Sequence, residues 1–225
     1  MSDKKTVDTT DQDVANKAIG FWEANSKKIL IAAVSVIVVV GGYLGYTNFI
    51  QLPKEQKANE ELFAAENNFR KDSFNIALNG TGSSAGFLKV ISKYGGTKAA
   101  NLAHYYAGAS YLQMGEFQKA VDQLKAFNSN GAKQVEAKAE GLLGDAYAEL
   151  KKTDDAINHY RNAGTIFEED QAISSEYLFR GAMLAEMNGK ADVAIELYQI
   201  LKDKYPRTDK GFIVDKYLAR LGIVK

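Results

Sequence analysis

Apolar and polar positions change rhythm twice along the chain. Between Lys28 and Lys54 the stretch "ILIAAVSVIVVVGGYLGYTNFIQLP" carries no charge. Ile29 to Ile50 alone makes about 33 Å of helix at roughly 1.5 Å per residue, enough to cross a hydrocarbon core of about 30 Å. The run predicts one transmembrane helix over 29–50, preceded by a short tail over 1–28. That tail is too long and too acidic for the n-region of a cleaved leader, and the bulky "GYTNFIQLP" offers no small-x-small cleavage site. Within the span, Gly41 and Gly45 form a small-xxx-small face for close approach of a second membrane helix. Lys27 and Lys28 abut its start with Lys17 further back, while Lys54 and Lys57 follow it. The positive-inside bias is slight, and it favours tail inside and domain outside.

After Pro53 the period becomes that of amphipathic helices, and it repeats. "AGASYLQMGEFQKAVDQLKAF", "LGDAYAELKKTDDAINHYRNA" and "GAMLAEMNGKADVAIELYQIL" align without gaps. Each has a small residue (Gly108, Gly144, Ala182), an alanine twelve later (Ala120, Ala156, Ala194) and a bulky residue four beyond that (Leu124, Tyr160, Tyr198). The small residue lets a first helix lie close to its partner. The alanine marks the crossing, and the bulky side chain fills the space beside it. Gly115 and Gly189 are expected to stop first helices. The expected fold is therefore all-α: a transmembrane helix, then an α-solenoid of helix-turn-helix repeats over 99–207. Residues 51–98 are read as a linker and a degenerate leading helix pair, broken by the Gly/Ser stretch from Asn79 to Gly86. Residues 208–225 are read as a C-terminal capping helix, with Phe212, Tyr217, Leu218 and Leu221 on its helical period.

Composition narrows the functions available. Lysine plus arginine equals aspartate plus glutamate, 28 each, and neither half has the basic excess of a nucleic-acid binder. Cysteine is absent, which excludes disulfides, thiolate chemistry and cysteine-based zinc sites. Asp154, Asp155 and His159 invite an acid/base or metal reading. A metal needs three or four converging ligands, and no second histidine is near in sequence. The two aspartates are expected instead to cap exposed N–H groups at a helix start, with His159 facing solvent or a repeat boundary and His104 in the core or an interface. "GSSAG" around Ser84 matches the nucleophile-elbow pattern, but it follows a loop-like segment in a helical chain. No catalytic residue, metal or cofactor is expected, and no small-molecule substrate.

The Gly, Tyr, Ala and aromatic positions, with Pro206 after the third copy, resemble the tetratricopeptide repeat. The early aromatic position departs from that pattern, being His104, Glu140 and Leu178 in the three copies. The resemblance implies an inner groove lined by first-helix positions: Leu102, Tyr105, Ala109 and Leu112, then Lys138, Asp145 and Glu149, then Phe179, Met183, Glu186 and Met187. The order of elements, the stretch "SKYGGTKAANLAHYYAGASYL" and the final short helix resemble the YfgM-like family of bacterial inner-membrane proteins. Membership would imply a periplasmic domain, and a role as accessory subunit of the Sec translocon beside a membrane-anchored periplasmic chaperone, handling exported proteins. The same architecture also suits a cell-envelope assembly or division scaffold.

Overall fold

The computed structural model describes residues 9–224, so the first eight residues of the expected tail and Lys225 lie outside them. The chain divides into two units, Met1–Pro53 and Lys54–Lys225.

In the first unit, helix α1 (Thr9–Tyr46) runs into a π-helical turn, Thr47–Gln51. The helix starts well before the apolar run, so the expected tail is helical from Thr9 onward. It is long and apolar enough to cross a membrane. Its large side chains, Ile31, Ile37 and Val39 among them, are exposed, a surface of the kind that hydrocarbon would cover. Two hydroxyls within the apolar stretch are satisfied locally. Ser35 Oγ donates to the Ile31 carbonyl and Thr47 Oγ1 to that of Tyr43, both at 2.8 Å, which removes the cost of an unpaired hydroxyl in lipid.

The leading segment of the second unit is more broken than the expected pair. It forms α2 (Leu52–Phe69), α3 (Phe74–Asn79), a two-residue antiparallel hairpin of β1 (Gly80–Thr81) and β2 (Ser84–Ala85), and α4 (Phe87–Lys93). Four successive polar residues, Arg70 to Ser73, give a helix nothing to pack. The chain turns there with Asp72 at φ 54°. Leu62, Leu78, Phe87, Val90 and Tyr94 close a core against the start of the repeats. Ser84 lies within the hairpin, its residue paired with Thr81, and not on a strand-to-helix elbow.

Three helix pairs follow: α5 (Lys98–Gln113) with α6 (Phe117–Ala126), α7 (Lys133–Glu149) with α8 (Thr153–Ile166), and α9 (Gln171–Met187) with α10 (Ala191–Lys204). The expected crossings are present. A Cβ on Gly144 would stand 2.6 Å from Tyr160 Cδ1, and one on Gly108 2.5 Å from Leu124 Cγ, so glycine is what lets these helices meet. In the third pair Ala182 and Tyr198 are both fully buried. All three turns have one design. Gly115, Lys151 and Gly189 take positive φ (76°, 60° and 73°), and the next N–H reaches back to Tyr111, Tyr147 or Ala185 at 2.9 Å.

The structure departs from the sequence expectations at two further places. Asp154 and Asp155 sit in the first turn of α8, but the N-cap residue is Lys152 and no side chain caps the helix. The left-handed turn closes that end with backbone bonds, and Asp154 instead pairs with Lys190 of the next repeat at 2.9 Å. In α11 (Asp209–Arg220), Val214 and Leu218 are buried, with Tyr217 and Leu221 packed beside them, whereas Phe212 is 73% exposed. At about 100° per residue, position 212 lies roughly opposite 214.

Candidate protein-interaction surface

Successive first helices touch directly, α5 with α7, α7 with α9 and α9 with α11. The side chains expected to line a groove sit along this series, but they differ in what they present. Ala109 and Phe179 are buried. Phe179 is core, its ring 5.0 Å edge-on from Tyr217 and 6.0 Å from Tyr198. Leu102 packs on the leading core, and Leu112 packs on that of the first two pairs. Tyr105 lies between the rings of Tyr106 and Phe127, at 5.4 and 5.6 Å. Desolvation, with Tyr177 and Tyr106 nearby, pushes its hydroxyl up to about 12. Met183 is half-buried, and Lys138, Glu149 and Met187 are exposed. In the first unit, added Cβ atoms on Gly41 and Gly45 would meet nothing within 4 Å, so both glycines face open space.

Asp145 and Glu186 have a second role that spacing did not reveal. Asp145 Oδ1 accepts from the Tyr160 hydroxyl at 2.7 Å and from Arg180 Nη1 at 2.9 Å. Glu186 accepts from the Tyr198 hydroxyl at 3.0 Å and from Arg220 at 2.6 and 2.8 Å. The arrangement is the same at both joints: a second-helix tyrosine, a first-helix carboxylate, and an arginine from the next first helix. Both carboxylates are thus paired with an arginine within the fold. Burial, then the neighbouring carboxylate, raises both tyrosine hydroxyls above their ordinary range. Arg220 holds Glu186 below the usual carboxylate value; burial opposes this and Tyr198 adds to it.

The histidines occupy matching places. His104 Nδ1 is 2.8 Å from Gln123 Oε1, and His159 Nδ1 is 2.8 Å from Glu140 Oε2, each bridging the two helices of its pair. His159 also stacks on Tyr147 at 5.1 Å. It therefore lies inside its own repeat rather than facing solvent or a repeat boundary. The third pair has Leu178 and Leu197 at the same two positions, both fully buried. The early aromatic site of the repeat pattern has been replaced twice by a hydrogen-bonded bridge and once by a buried leucine. Among the described residues, no three His, Asp or Glu side chains come together as a metal site would require.

The repeat now has its geometry, and a sequence profile of the tetratricopeptide repeat family matches residues 176–208. The chain contains a tetratricopeptide repeat. The matched segment covers most of α9, all of α10 and the loop to α11, the copy with the apolar crossing and Pro206. No curated protein matches the sequence. The packed helix pairs extend the same architecture to both sides of the matched copy, and tetratricopeptide repeats are surfaces for protein partners.

The ends of the solenoid carry a further signal that the three-copy alignment passes over. "KYGGT" (93–97) and "KYPRT" (204–208) precede α5 and α11. In both, the threonine caps the helix, accepting from Ala100 N at 3.0 Å or Gly211 N at 3.1 Å. In both, its hydroxyl also donates to the tyrosine carbonyl, at 2.8 or 2.9 Å. Phe87 faces Tyr106 at 5.4 Å just as Tyr198 faces Tyr217 at 5.3 Å. The helix α11 caps the solenoid in the position of a fourth first helix.

Proposed function

We propose that this protein is a membrane-anchored interaction scaffold that serves as an accessory factor of the Sec translocon, working beside a periplasmic chaperone on exported proteins. One observation carries the scaffold reading: a helix apolar enough to span a membrane precedes tetratricopeptide pairs whose first helices leave Lys138, Glu149 and Met187 open to partners. Exposed methionine beside mixed charge suits adaptable apolar contact with a polar rim. The translocon assignment rests on the resemblance to the YfgM-like family, carried by the order of elements, the stretch over 92–112 and the final short helix, and the slight lysine bias favours a domain outside the cytoplasm.

The test has two arms. A reporter active only outside the cytoplasm, fused after Lys225, is expected to be active; activity only of a cytoplasmic reporter overturns the envelope placement. Photo-crosslinking amino acids at positions 138, 149 and 187 of the full chain in cells are expected to capture translocon or chaperone subunits. Adducts only with unrelated envelope proteins would remove the translocon role and leave the scaffold.

A further inference from the structure

In each of the first three pairs the side of the first helix that carries the small residue is covered by a second helix. Gly108 receives Leu124, Gly144 receives Tyr160, and Ala182 lies in one core with Tyr198. The correspondence between the two ends runs from residues 87–108 to 198–219, so the same side of α11 carries Asp215 where α5 has His104, and Ala219 where α5 has Gly108. A small residue thus recurs at 108, 144, 182 and 219. Here, however, no helix follows among the described residues. The chain turns at Gly222, φ 85°, and Ala219 and Asp215 are exposed. A cavity of ≈ 390 Å³ opens there, lined by Lys202 and Asp203 of α10, by Asp215, Leu218 and Ala219 of α11, and by Val224 beyond the turn.

We propose that this cavity is a docking seat for one amphipathic helix of a partner protein, which takes the place on α11 that α6, α8 and α10 take on the preceding first helices. The proposal rests on the scaffold reading and adds to it a site apart from the first-helix groove. The three internal occupants define the chemistry of the guest. It sets a leucine or tyrosine against Ala219, as Leu124 and Tyr160 lie against their glycines. Four residues earlier it has an alanine, as Ala120 and Ala156 stand in their own helices. The residue just before the bulky one faces Asp215, as Gln123 faces His104 and His159 faces Glu140. Because position 215 is a carboxylate, that residue is a hydrogen-bond donor, histidine or lysine. The rim agrees in charge, with Asp203 and Asp215 against Lys202 alone. Lys202 holds Asp215 at 2.6 Å until the guest arrives. The exposed Val224 provides an apolar edge.

The probe is a fluorescent synthetic peptide with the sequence of residues 153–166, which carries alanine, histidine and tyrosine at the required spacing, titrated into the detergent-solubilised full chain. Saturable binding is expected from the anisotropy. Ala219→Trp, which fills the seat from an exposed position, is expected to weaken it at least tenfold with the melting temperature unchanged. Asp215→Lys is expected to weaken it for the histidine peptide and to restore it for a peptide with glutamate in that place. Absence of saturable binding, or binding indifferent to both substitutions, overturns the proposal. So does self-association of the chain that Ala219→Trp abolishes, since the seat then belongs to a second copy. Crosslinking at positions 138, 149 and 187 does not involve this seat, so failure here and failure of the scaffold reading are separate results.

Discussion

Lys151 stands where the other two repeats have glycine, and it holds the same left-handed turn at φ 60°. A side chain in that region costs about 1–2 kcal/mol, part of which glycine returns as lost chain entropy. Lys151→Gly is therefore expected to stabilise the domain by roughly 0.5–1 kcal/mol in denaturant unfolding, where most substitutions destabilise. Gly144→Leu acts in the opposite sense. Its first side-chain atom already overlaps the Tyr160 ring, and the loss is expected to be about 1–3 kcal/mol or more. By contrast Asp155→Ala, with no capping bond to lose, is expected to cost only the helix-dipole contribution, about 0.3–1 kcal/mol. Lys151 also marks where sequence reading fell short. The turn before Asp154 and Asp155 was expected, but unlike Gly115 and Gly189 a lysine does not announce a left-handed residue by its type, and its conformation is imposed by the helices on either side.

At the scale of elements, the helix pairs were legible because a small residue, an alanine and a bulky residue at fixed spacing describe one crossing. What joins one pair to the next was not. Asp145 and Glu186 have the spacing of groove residues, and only the folded chain brings Arg180 and Arg220 onto them from some 35 positions away. The second of these joints holds α11 to α9 and makes an acid-sensitive fastening. Glu186 ionises more readily in the folded state than at its ordinary value of 4.5, so its contribution is present above that value and is lost as pH falls through the lower, folded one. The melting temperature of the wild type should exceed that of Glu186→Gln at pH 7, and the gap should close as pH falls below about 4.5. A gap independent of pH would mean that the carboxylate contributes by shape alone. The leading segment was misread as a pair because its break, Arg70 to Ser73, has neither glycine nor proline to announce it.

For the molecule as a whole, the sequence showed an apolar span and a repeat domain plainly, since both depend on the period of hydrophobic positions. Of the residues proposed to face a partner, nothing in the sequence told which ones the fold buries. Exposed Lys138, Glu149 and Met187 stay available, while Phe179 went unrecognised as core because Tyr217 closes over it from another element. The helix crossings described above have one further consequence, for the order in which the domain comes apart. Two of them are bridged by polar side chains, His104 with Gln123 and Glu140 with His159, each worth about 1 kcal/mol net because water competes for the same groups. The third has Leu178 and Leu197, both fully buried, in one cluster that also holds Tyr198, Leu201 and Val214. A stack of repeats loses and regains its units by nearest-neighbour cooperation, so its local free energies need not be equal. Amide hydrogen exchange is expected to be slowest in α9 and α10 and faster in α5 to α8. Replacing Leu178 and Leu197 by the His104 and Gln123 pair should level that gradient, turning a domain that opens from one side into one that opens evenly.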